Sequence, residues 1–133
     1  MSKKEKILIT GGSGYIGSML TPYLLNKNYE VTVLDNFMFK QHSLSQYCIN
    51  SSLEIINGDV RDESLVRNLL SKADIIIPLA AYVGAPLCKK DPFGAKSVNL
   101  DSQIFLLNNL SINQKLLMPI TNSGYGIGDK DNF

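Results

Sequence analysis

The chain has 133 residues, 44% of them hydrophobic, which fits one globular domain with a sizeable core and leaves no room for a second. Its net charge is only +1, and no basic stripe is interleaved with aromatic residues, so composition gives no sign of a nucleic-acid partner. The basic start is followed by three apolar residues, too few for a signal peptide or a membrane span. A cytoplasmic location and no membrane partner are therefore expected.

The two cysteines predict free thiols. Cys48 and Cys88 lack the spacing of metal ligands, and the lone His42 adds little to them. No metal site is expected.

Apolar runs of strand length alternate with helix-like segments, a rhythm typical of a parallel sheet flanked by helices. The predicted class is α/β, with a doubly wound parallel sheet. The five predicted strands are 6–10, 30–35, 53–57, 74–79 and 115–122.

A glycine-rich loop, Thr10-Gly11-Gly12-Ser13-Gly14-Tyr15-Ile16-Gly17, follows the first predicted strand. Gly11 would let the chain turn sharply, Gly14 would let the backbone approach a pyrophosphate, and Gly17 would let the helix pack closely on the sheet. The free N–H groups of the first helical residues, Tyr15, Ile16 and Gly17, would face that anion.

The first predicted helix carries Ile16, Leu20, Tyr23 and Leu24 on one face, which should pack on the sheet. Pro22 lies inside it and predicts a bend, because proline removes one backbone hydrogen bond.

The second strand ends in Asp35, 18 residues after Gly17. An acidic residue there accepts hydrogen bonds from the adenosine ribose and repels a 2′-phosphate, which favours NAD over NADP. With the loop, it predicts a Rossmann dinucleotide site; the alternative is a tight turn beside a surface carboxylate.

Two more helices are predicted beyond a long polar connection at 36–52, which has room for one short helix. Asp62 is the expected N-cap of the first, with Leu65, Val66, Leu69 and Leu70 facing inward. The second covers about 95–110. Its apolar residues, Leu100, Ile104 and Leu107 with Phe105, Leu106 and Leu110, suggest burial on two sides.

With these residues in view, the chain resembles the extended short-chain dehydrogenases/reductases, the family of NAD-dependent nucleotide-sugar epimerases and dehydratases. Residues 10–17 match the family's Thr-Gly-x-x-Gly-x-x-Gly at every fixed position, and further matches cover nearly the whole chain. The resemblance implies a nucleotide-sugar substrate and a homodimer formed through helices; the broad apolar face at 100–110 is compatible with the dimer.

The resemblance also assigns cofactor residues along the chain. Asp35 and Asn36 look like the ribose-binding pair, and Asp59 and Val60, within Gly58-Asp59-Val60-Arg61-Asp62, look like the adenine contacts. Asp59 could instead be a capping carboxylate. The segment Leu79-Ala80-Ala81 is similar to the stretch that passes under the nicotinamide, although small residues there also suit tight packing. Asn99 matches a family Asn or is an exposed or locally bonded helix residue.

The fifth predicted strand ends in Thr121-Asn122-Ser123-Gly124-Tyr125-Gly126. In the family a catalytic Ser or Thr lies four residues before such a Tyr-Gly, which implies Thr121 as the catalytic hydroxyl, with Ser123 as its rival. The alternative is a strand-end Thr bonded to its own backbone. Dehydratases carry acidic residues after this Thr. Asn122 and Ser123 stand there instead, which disfavours a dehydratase and favours an epimerase or another reaction that passes through a 4-keto sugar. A 4,6-dehydratase or a reductase of the same family is the alternative.

The family's Tyr-x-x-x-Lys pair is expected after the fifth strand, and its one match here, Tyr23 to Lys27, lies on the first helix. That match is interpreted as unrelated to catalysis because Tyr23 should be core. Residues 1–133 are therefore expected to be an NAD-binding domain truncated before the catalytic pair, inactive by itself. A hypothesis of another class is a non-catalytic dinucleotide-sensing protein.

Overall fold

The computed structural model describes residues 4–120, which form a parallel sheet with helices on both faces. The strands are β1 (Lys6–Thr10), β2 (Glu30–Asp35), β3 (Leu53–Asn57), β4 (Ile75–Pro78) and β5 (Lys115–Leu116). The helices are α1 (Tyr15–Asn26), α2 (Glu63–Leu70), α3 (Ala85–Lys90), α4 (Pro92–Lys96) and α5 (Ser102–Asn108), with a 3₁₀ turn at Ser45–Tyr47 and a π turn at Ser97–Asp101.

The strand order is β3-β2-β1-β4-β5, with every pair parallel, so the predicted five-stranded doubly wound sheet is confirmed. The first three strands have the predicted bounds, and β4 is one residue shorter at each end. β5 ends at Leu116; residues 117–120 have no regular structure, and the rest of the predicted strand lies outside the described residues.

Alternate residues of the strands face two separate apolar layers, as parallel strands covered on both faces require. One layer, under α1, is built on Ile7, Ile9, Val31, Val33, Ile75 and Ile77, and Leu44 of the long connection is buried there too. The other layer lies under α2 and α5 and contains Leu8, Leu34, Ile76, Val66, Leu69, Leu70 and Leu106. The sheet is therefore a rigid platform for the loops at its ends.

The inward face of α1 differs from the prediction. Gly17 and Thr21 are fully buried, and Leu20 and Leu24 are partly buried, but Ile16 and Tyr23 are 56% and 57% exposed. The helix rests on the glycine loop through Gly17, and this contact rotates Ile16 and Tyr23 outward. The helix continues through Pro22.

The helix α2 agrees with the prediction. The Asp62 side chain accepts a hydrogen bond from the Leu65 N–H at 3.0 Å and caps the helix. Val66, Leu69 and Leu70 are buried, which anchors the loop between β3 and α2.

The predicted helix at about 95–110 is present but begins earlier and is interrupted. α4, the π turn and α5 follow one another without a gap from Pro92 to Asn108. The buried side of this continuous helical segment consists of Val98, Ser102, Gln103 and Leu106. The predicted apolar residues Leu100, Ile104 and Leu107 are instead 44–49% exposed. The extra residue of a π turn shifts the helix faces relative to a regular period. The helix α3 was not predicted.

No helix among residues 4–120 is both long and apolar enough to cross a membrane. Cys48 and Cys88 are both free thiols, as predicted.

Candidate functional site

The predicted cofactor residues meet at one edge of the sheet, where the parallel strands end. The glycine loop follows β1, Asp35 ends β2, Asp59 follows β3 and Ala80 follows β4. β1 pairs with β2 on one side and with β4 on the other: the chain runs outward from β1 through β2 to β3, and then crosses back to β4 on the other side of β1. In open α/β sheets, ligands bind at the carboxyl ends of the strands beside such a switch point.

Gly11 joins the loop to the segment after β4. Its φ of +69° lies in the left-handed region, as the predicted sharp turn requires. A Cβ atom at this position would lie 2.6 Å from the backbone of Ala80. Thr10 holds the same segment, because its carbonyl accepts a hydrogen bond from the Leu79 N–H at 2.9 Å.

The other two motif glycines have different surroundings. A Cβ on Gly17 would overlap the backbone of Gly12, so the close approach is between the helix and the loop at the end of β1. A Cβ on Gly14 would have one neighbour within 4 Å, the Gly11 carbonyl oxygen at 3.2 Å. Packing within the described residues thus explains why position 17 needs a glycine. It does not explain the glycine at position 14, which is consistent with a ligand that occupies the adjacent space.

The start of α1 is built to receive an anion. The first helical hydrogen bond runs from the Ser18 N–H to the Gly14 carbonyl at 2.9 Å. The preceding N–H groups, of Tyr15, Ile16 and Gly17, have no acceptor among the described residues, and the first turn carries no acidic side chain. Three N–H donors and the positive end of a 12-residue helix suit a pyrophosphate.

Asp35 is tied directly to this loop. Its Oδ2 accepts a hydrogen bond from the Ser13 N–H at 2.9 Å, and its Oδ1 accepts one from the Phe37 N–H at 2.9 Å. A carboxylate has about four acceptor positions, so about two remain for the hydroxyls of a ribose. The predicted pairing of loop and acidic residue is therefore present as one hydrogen-bonded unit.

Asn36, Asp59 and Arg61 form a second polar unit at the same edge. Asp59 Oδ1 accepts hydrogen bonds from the Arg61 backbone N–H at 2.9 Å and from Arg61 Nε at 2.8 Å. Asp59 Oδ2 accepts from Arg61 Nη2 at 2.6 Å and from Asn36 Nδ2 at 3.3 Å. The side-chain bonds from Arg61, more than any other influence, lower the pKa of Asp59 to about 2. The sequence pattern pointed to Asp59 but predicted no role for Arg61.

The remaining predicted cofactor residues split between packing and exposure. Val60 packs against the apolar layer under α2 and α5, and Leu79 packs against the layer under α1. Only the backbones of these two residues are therefore left to contribute to the candidate site. Tyr15 and Ala81 are exposed at the same edge.

Asn99 holds the segment that follows Ala81. Its Oδ1 accepts a hydrogen bond from the Tyr82 N–H at 2.7 Å, and its Nδ2 donates one to the Tyr82 carbonyl at 2.8 Å. The π turn carries Asn99, and such turns are frequent at functional sites. Asn99 is exposed, as one alternative from the sequence has it, but its bonds are not local, because they reach backbone groups 17 residues away.

Two predicted features lie away from this edge or outside the described residues. Tyr23 was expected in the core, and that prediction is wrong; it is exposed, with the Lys27 ammonium 5.6 Å from its ring centroid. Both lie at the end of α1 that leads into the start of β2, opposite the glycine loop. Thr121 and Ser123 lie outside the described residues.

A separate groove of about 310 Å³ lies at the amino ends of β1, β2 and β3, between Lys6, Ser52 and Lys72. It is thus at the opposite edge of the sheet from the glycine loop.

Comparison with known proteins identifies the family. The model of the NAD dependent epimerase/dehydratase family matches residues 7–132. UDP-N-acetyl-alpha-D-glucosaminuronate decarboxylase from Bacillus cytotoxicus is 29% identical over 94% of this chain and 39% of its own. The dTDP-D-glucose 4,6-dehydratase of Dictyostelium discoideum is 34% identical over 93% of this chain and 30% of its own.

A similar solved structure is the complex of Thermus thermophilus UDP-glucose 4-epimerase with NAD. It is 27% identical, with a TM-score of 0.66 over 78% of this chain and 33% of that one. The chain thus spans between 30% and 39% of the length of these three proteins. The expectation of NAD as cofactor is confirmed at the level of the family. The glycine loop, its bonded Asp35 and the family match agree, and this chain belongs to the NAD dependent epimerase/dehydratase family.

Proposed function

We propose that residues 1–133 form the cofactor-binding domain of an NAD-dependent epimerase that acts on a nucleotide-diphosphate sugar. The observation that carries the proposal is the bond between Asp35 Oδ2 and the Ser13 N–H, which ties the acidic group to the loop that leads into α1. A pyrophosphate on those N–H groups would bring the neighbouring ribose to Asp35.

Asp35 should also decide which dinucleotide binds. The two acceptor positions that remain on its carboxylate suit the two hydroxyls of an adenosine ribose. A 2′-phosphate would bring negative charge against this carboxylate. The site should therefore prefer NAD to NADP.

The proposed reaction begins with oxidation at C4 of the sugar. NAD, when bound, would take a hydride from this carbon and later return it. Thr121 is proposed to hydrogen-bond the C4 oxygen, and a Tyr with its pKa lowered by a nearby Lys would remove the hydroxyl proton. We propose that this Tyr and Lys, and the residues that bind the sugar, belong to a part of the enzyme outside residues 1–133.

Asn122 and Ser123 favour epimerisation over dehydration. Removal of water next to the 4-keto group needs an acid that can donate and recover a proton, and neither an amide nor a hydroxyl does this readily. The alternative is a 4,6-dehydratase or a reductase of the same family. Analysis of the sugar product by NMR separates epimerase from dehydratase: an epimerase gives a sugar inverted at C4, whereas a 4,6-dehydratase gives a sugar with a ketone at C4 and no oxygen at C6.

A second candidate, from another class, is a non-catalytic dinucleotide-binding protein. It would use the same glycine loop and its bonded Asp35 to hold the cofactor without reacting it. Cofactor binding by the intact protein, with no turnover of any nucleotide sugar, would support it.

The proposed enzyme is a homodimer. Leu100, Ile104 and Leu107 form an exposed apolar stripe along the π turn and α5. Apolar helix faces of this kind are commonly covered by a partner. A symmetric contact between two copies would bury the stripe.

Calorimetric titration with NAD and with NADP tests the cofactor proposal first. The wild-type chain should bind NAD more tightly, and Asp35→Ala should remove the preference. Asp74→Ala is a matched control, because Asp74 also accepts a hydrogen bond from a backbone N–H, that of Lys6 at 2.8 Å, but at the opposite edge. Asp74→Ala should keep the preference for NAD. A folded wild-type chain that binds neither dinucleotide would contradict the proposal.

A further inference from the structure

A serine of the long polar connection between β2 and β3 reaches back to the glycine loop. The Ser43 Oγ donates a hydrogen bond to the Ser13 carbonyl at 2.8 Å, across 30 residues of sequence. A carbonyl oxygen can only accept, so the hydroxyl is the donor. Neither the glycine pattern nor the family resemblance predicted a role for Ser43.

The residue after Ser43 fixes the connection to the sheet. Leu44 is 2% exposed and packs in the apolar layer under α1, although Ser43 and Ser45 on either side of it are exposed. Tyr47 is partly buried against the same layer. The backbone beside Ser43 is therefore already ordered, and little chain freedom has to be lost for its hydroxyl to make the bond.

The bond from Ser43 completes the fixation of the backbone just before α1. The Ser13 N–H donates to Asp35 Oδ2 at 2.9 Å. The Gly14 N–H donates to the Gly11 carbonyl at 3.2 Å. The Ser13 carbonyl and the Gly14 N–H belong to one planar peptide group. Ser43 and Gly11 therefore hold this plane from its two sides.

The orientation of that peptide group sets the direction in which α1 begins. The Gly14 carbonyl, one peptide further on, accepts the first helical hydrogen bond from the Ser18 N–H at 2.9 Å. The free N–H groups of Tyr15 and Ile16 follow directly. Donors that are held in place before an anion arrives bind it more tightly, because no ordering has to accompany binding. A rotation of the peptide group between residues 13 and 14 would spoil this arrangement.

We propose that Ser43 is a positioning residue for the pyrophosphate of the bound dinucleotide. It acts through the Ser13 carbonyl and holds the start of α1 in the orientation that the anion needs. The inference rests on the proposed function, since it concerns the same NAD. Its consequence is that loss of the Ser43 hydroxyl should weaken ligands that carry a pyrophosphate and should spare a ligand that has none.

The test compares NAD and ADP, which carry a pyrophosphate, with adenosine, which has no phosphate. Calorimetry of Ser43→Ala should give dissociation constants for NAD and ADP that are about three- to tenfold higher than those of the wild type, the effect of one hydrogen bond. NMR titration should find adenosine bound as to the wild type. Ser43→Thr keeps the hydroxyl and should bind NAD and ADP within about twofold of the wild type.

Ser45→Ala is the matched control. The Ser45 Oγ also donates to a carbonyl at 2.8 Å, but to that of His42 in the same connection, so its bond does not reach the glycine loop. Each alanine variant loses one hydroxyl-to-carbonyl bond, and thermal unfolding should show a similar, small loss of stability in both. Ser45→Ala should bind all three ligands like the wild type.

Three outcomes would overturn the inference and leave the proposed function standing. Unchanged binding of NAD and ADP by Ser43→Ala would mean that the loop keeps its orientation without the hydroxyl. An equal loss for adenosine, or in Ser45→Ala, would indicate a general disturbance of the connection. Binding by Ser43→Thr as weak as by Ser43→Ala would mean that the hydroxyl is not the group that matters. A folded wild-type chain that binds neither NAD nor ADP would instead remove the proposed function and this inference together.

Discussion

The side chain of Asn99 holds both backbone groups of Tyr82, with an N–H to Oδ1 distance of 2.7 Å and an Nδ2 to carbonyl distance of 2.8 Å. One amide therefore links the π turn to the segment after β4. This segment includes Ala80, whose backbone packs against Gly11 of the glycine loop. Asn99 can thus influence the edge of the sheet that carries the glycine loop.

Substitution of Asn99 should loosen this segment. Asn99→Ala removes both hydrogen bonds, and we expect the free energy of unfolding to fall by about 1–2 kcal/mol, measured by urea denaturation. Asn99→Asp keeps the acceptor for the Tyr82 N–H but sets an oxygen against the Tyr82 carbonyl, so it should not restore the wild-type value. Wild-type stability in Asn99→Ala would mean that the two bonds contribute nothing.

The effect on ligands should depend on which end of the dinucleotide is present. If the segment supports the nicotinamide end, Asn99→Ala should weaken NAD while ADP-ribose, which lacks the nicotinamide, binds as to the wild type. Equal weakening of the two ligands in calorimetry would instead indicate a general loss of structure.

Gly14 and Gly17 should respond in opposite ways to substitution. Gly14→Val should cost less stability than Gly17→Ala, because Gly14 has φ −70° and a Cβ there meets only the Gly11 carbonyl oxygen, at 3.2 Å. It should nevertheless abolish NAD binding by filling the space next to the free N–H groups. Gly17→Ala would press a methyl group into the Gly12 backbone. We expect about 1–3 kcal/mol of destabilisation, although alanine is the better helix former.

Thermal unfolding and NAD titration of both variants check this contrast. A destabilised Gly14→Val that still bound NAD would contradict the division of roles between the two glycines.

The sheet could be predicted from the sequence because its signals are local. Strands β1 to β3 are short runs rich in Ile, Leu and Val, with Thr32 and Glu54 as the polar residues inside them, and glycine or polar residues mark their ends. The glycine loop and Asp35 were also visible, since the spacing of the glycines and the end of a strand fix both.

The inward faces of the helices could not be read in the same way. Ile16 and Ile104 continue apolar stripes in the sequence, but a stripe does not reveal which of its members face the sheet. Gly17 and Thr21 decide the contact of α1 through their small size and not through hydrophobicity. The bonds of Arg61 to Asp59 and of Asn99 to Tyr82 depend on side-chain geometry that periodicity does not encode.

The Asp59–Arg61 pair should make stability depend on pH in the acid range. Asp59 has a pKa of about 2 in the folded protein against an ordinary value of 3.8, so folding favours its ionised form. The pair therefore contributes its full stabilisation above about pH 4, and loses it as the pH falls through about 2.

Arg61→Gln should remove most of this dependence. Carboxyl carbon NMR should give a titration midpoint for Asp59 near 2 in the wild type and closer to 3.8 in the variant, with the Asn36 bond retaining part of the shift. The difference in unfolding free energy between the two proteins should shrink as the pH approaches 2. An unchanged midpoint in Arg61→Gln would mean that Arg61 does not hold the Asp59 carboxylate.

Ile104 and Leu106 lie two residues apart on α5 and test whether the exposed stripe binds a partner. Leu106 is 3% exposed within the α2 layer, so Leu106→Ala should lower the free energy of unfolding by about 2–4 kcal/mol. Ile104 is 47% exposed, so Ile104→Lys should lower the stability of a single copy only slightly.

A charge in the middle of the stripe would, however, have to be desolvated in a dimer. Sedimentation should therefore find a wild-type chain that associates with increasing concentration and an Ile104→Lys variant that stays monomeric. If both proteins sediment as monomers at every concentration, the stripe does not hold two copies of this chain together; if both dimerise equally, the contact lies on another face.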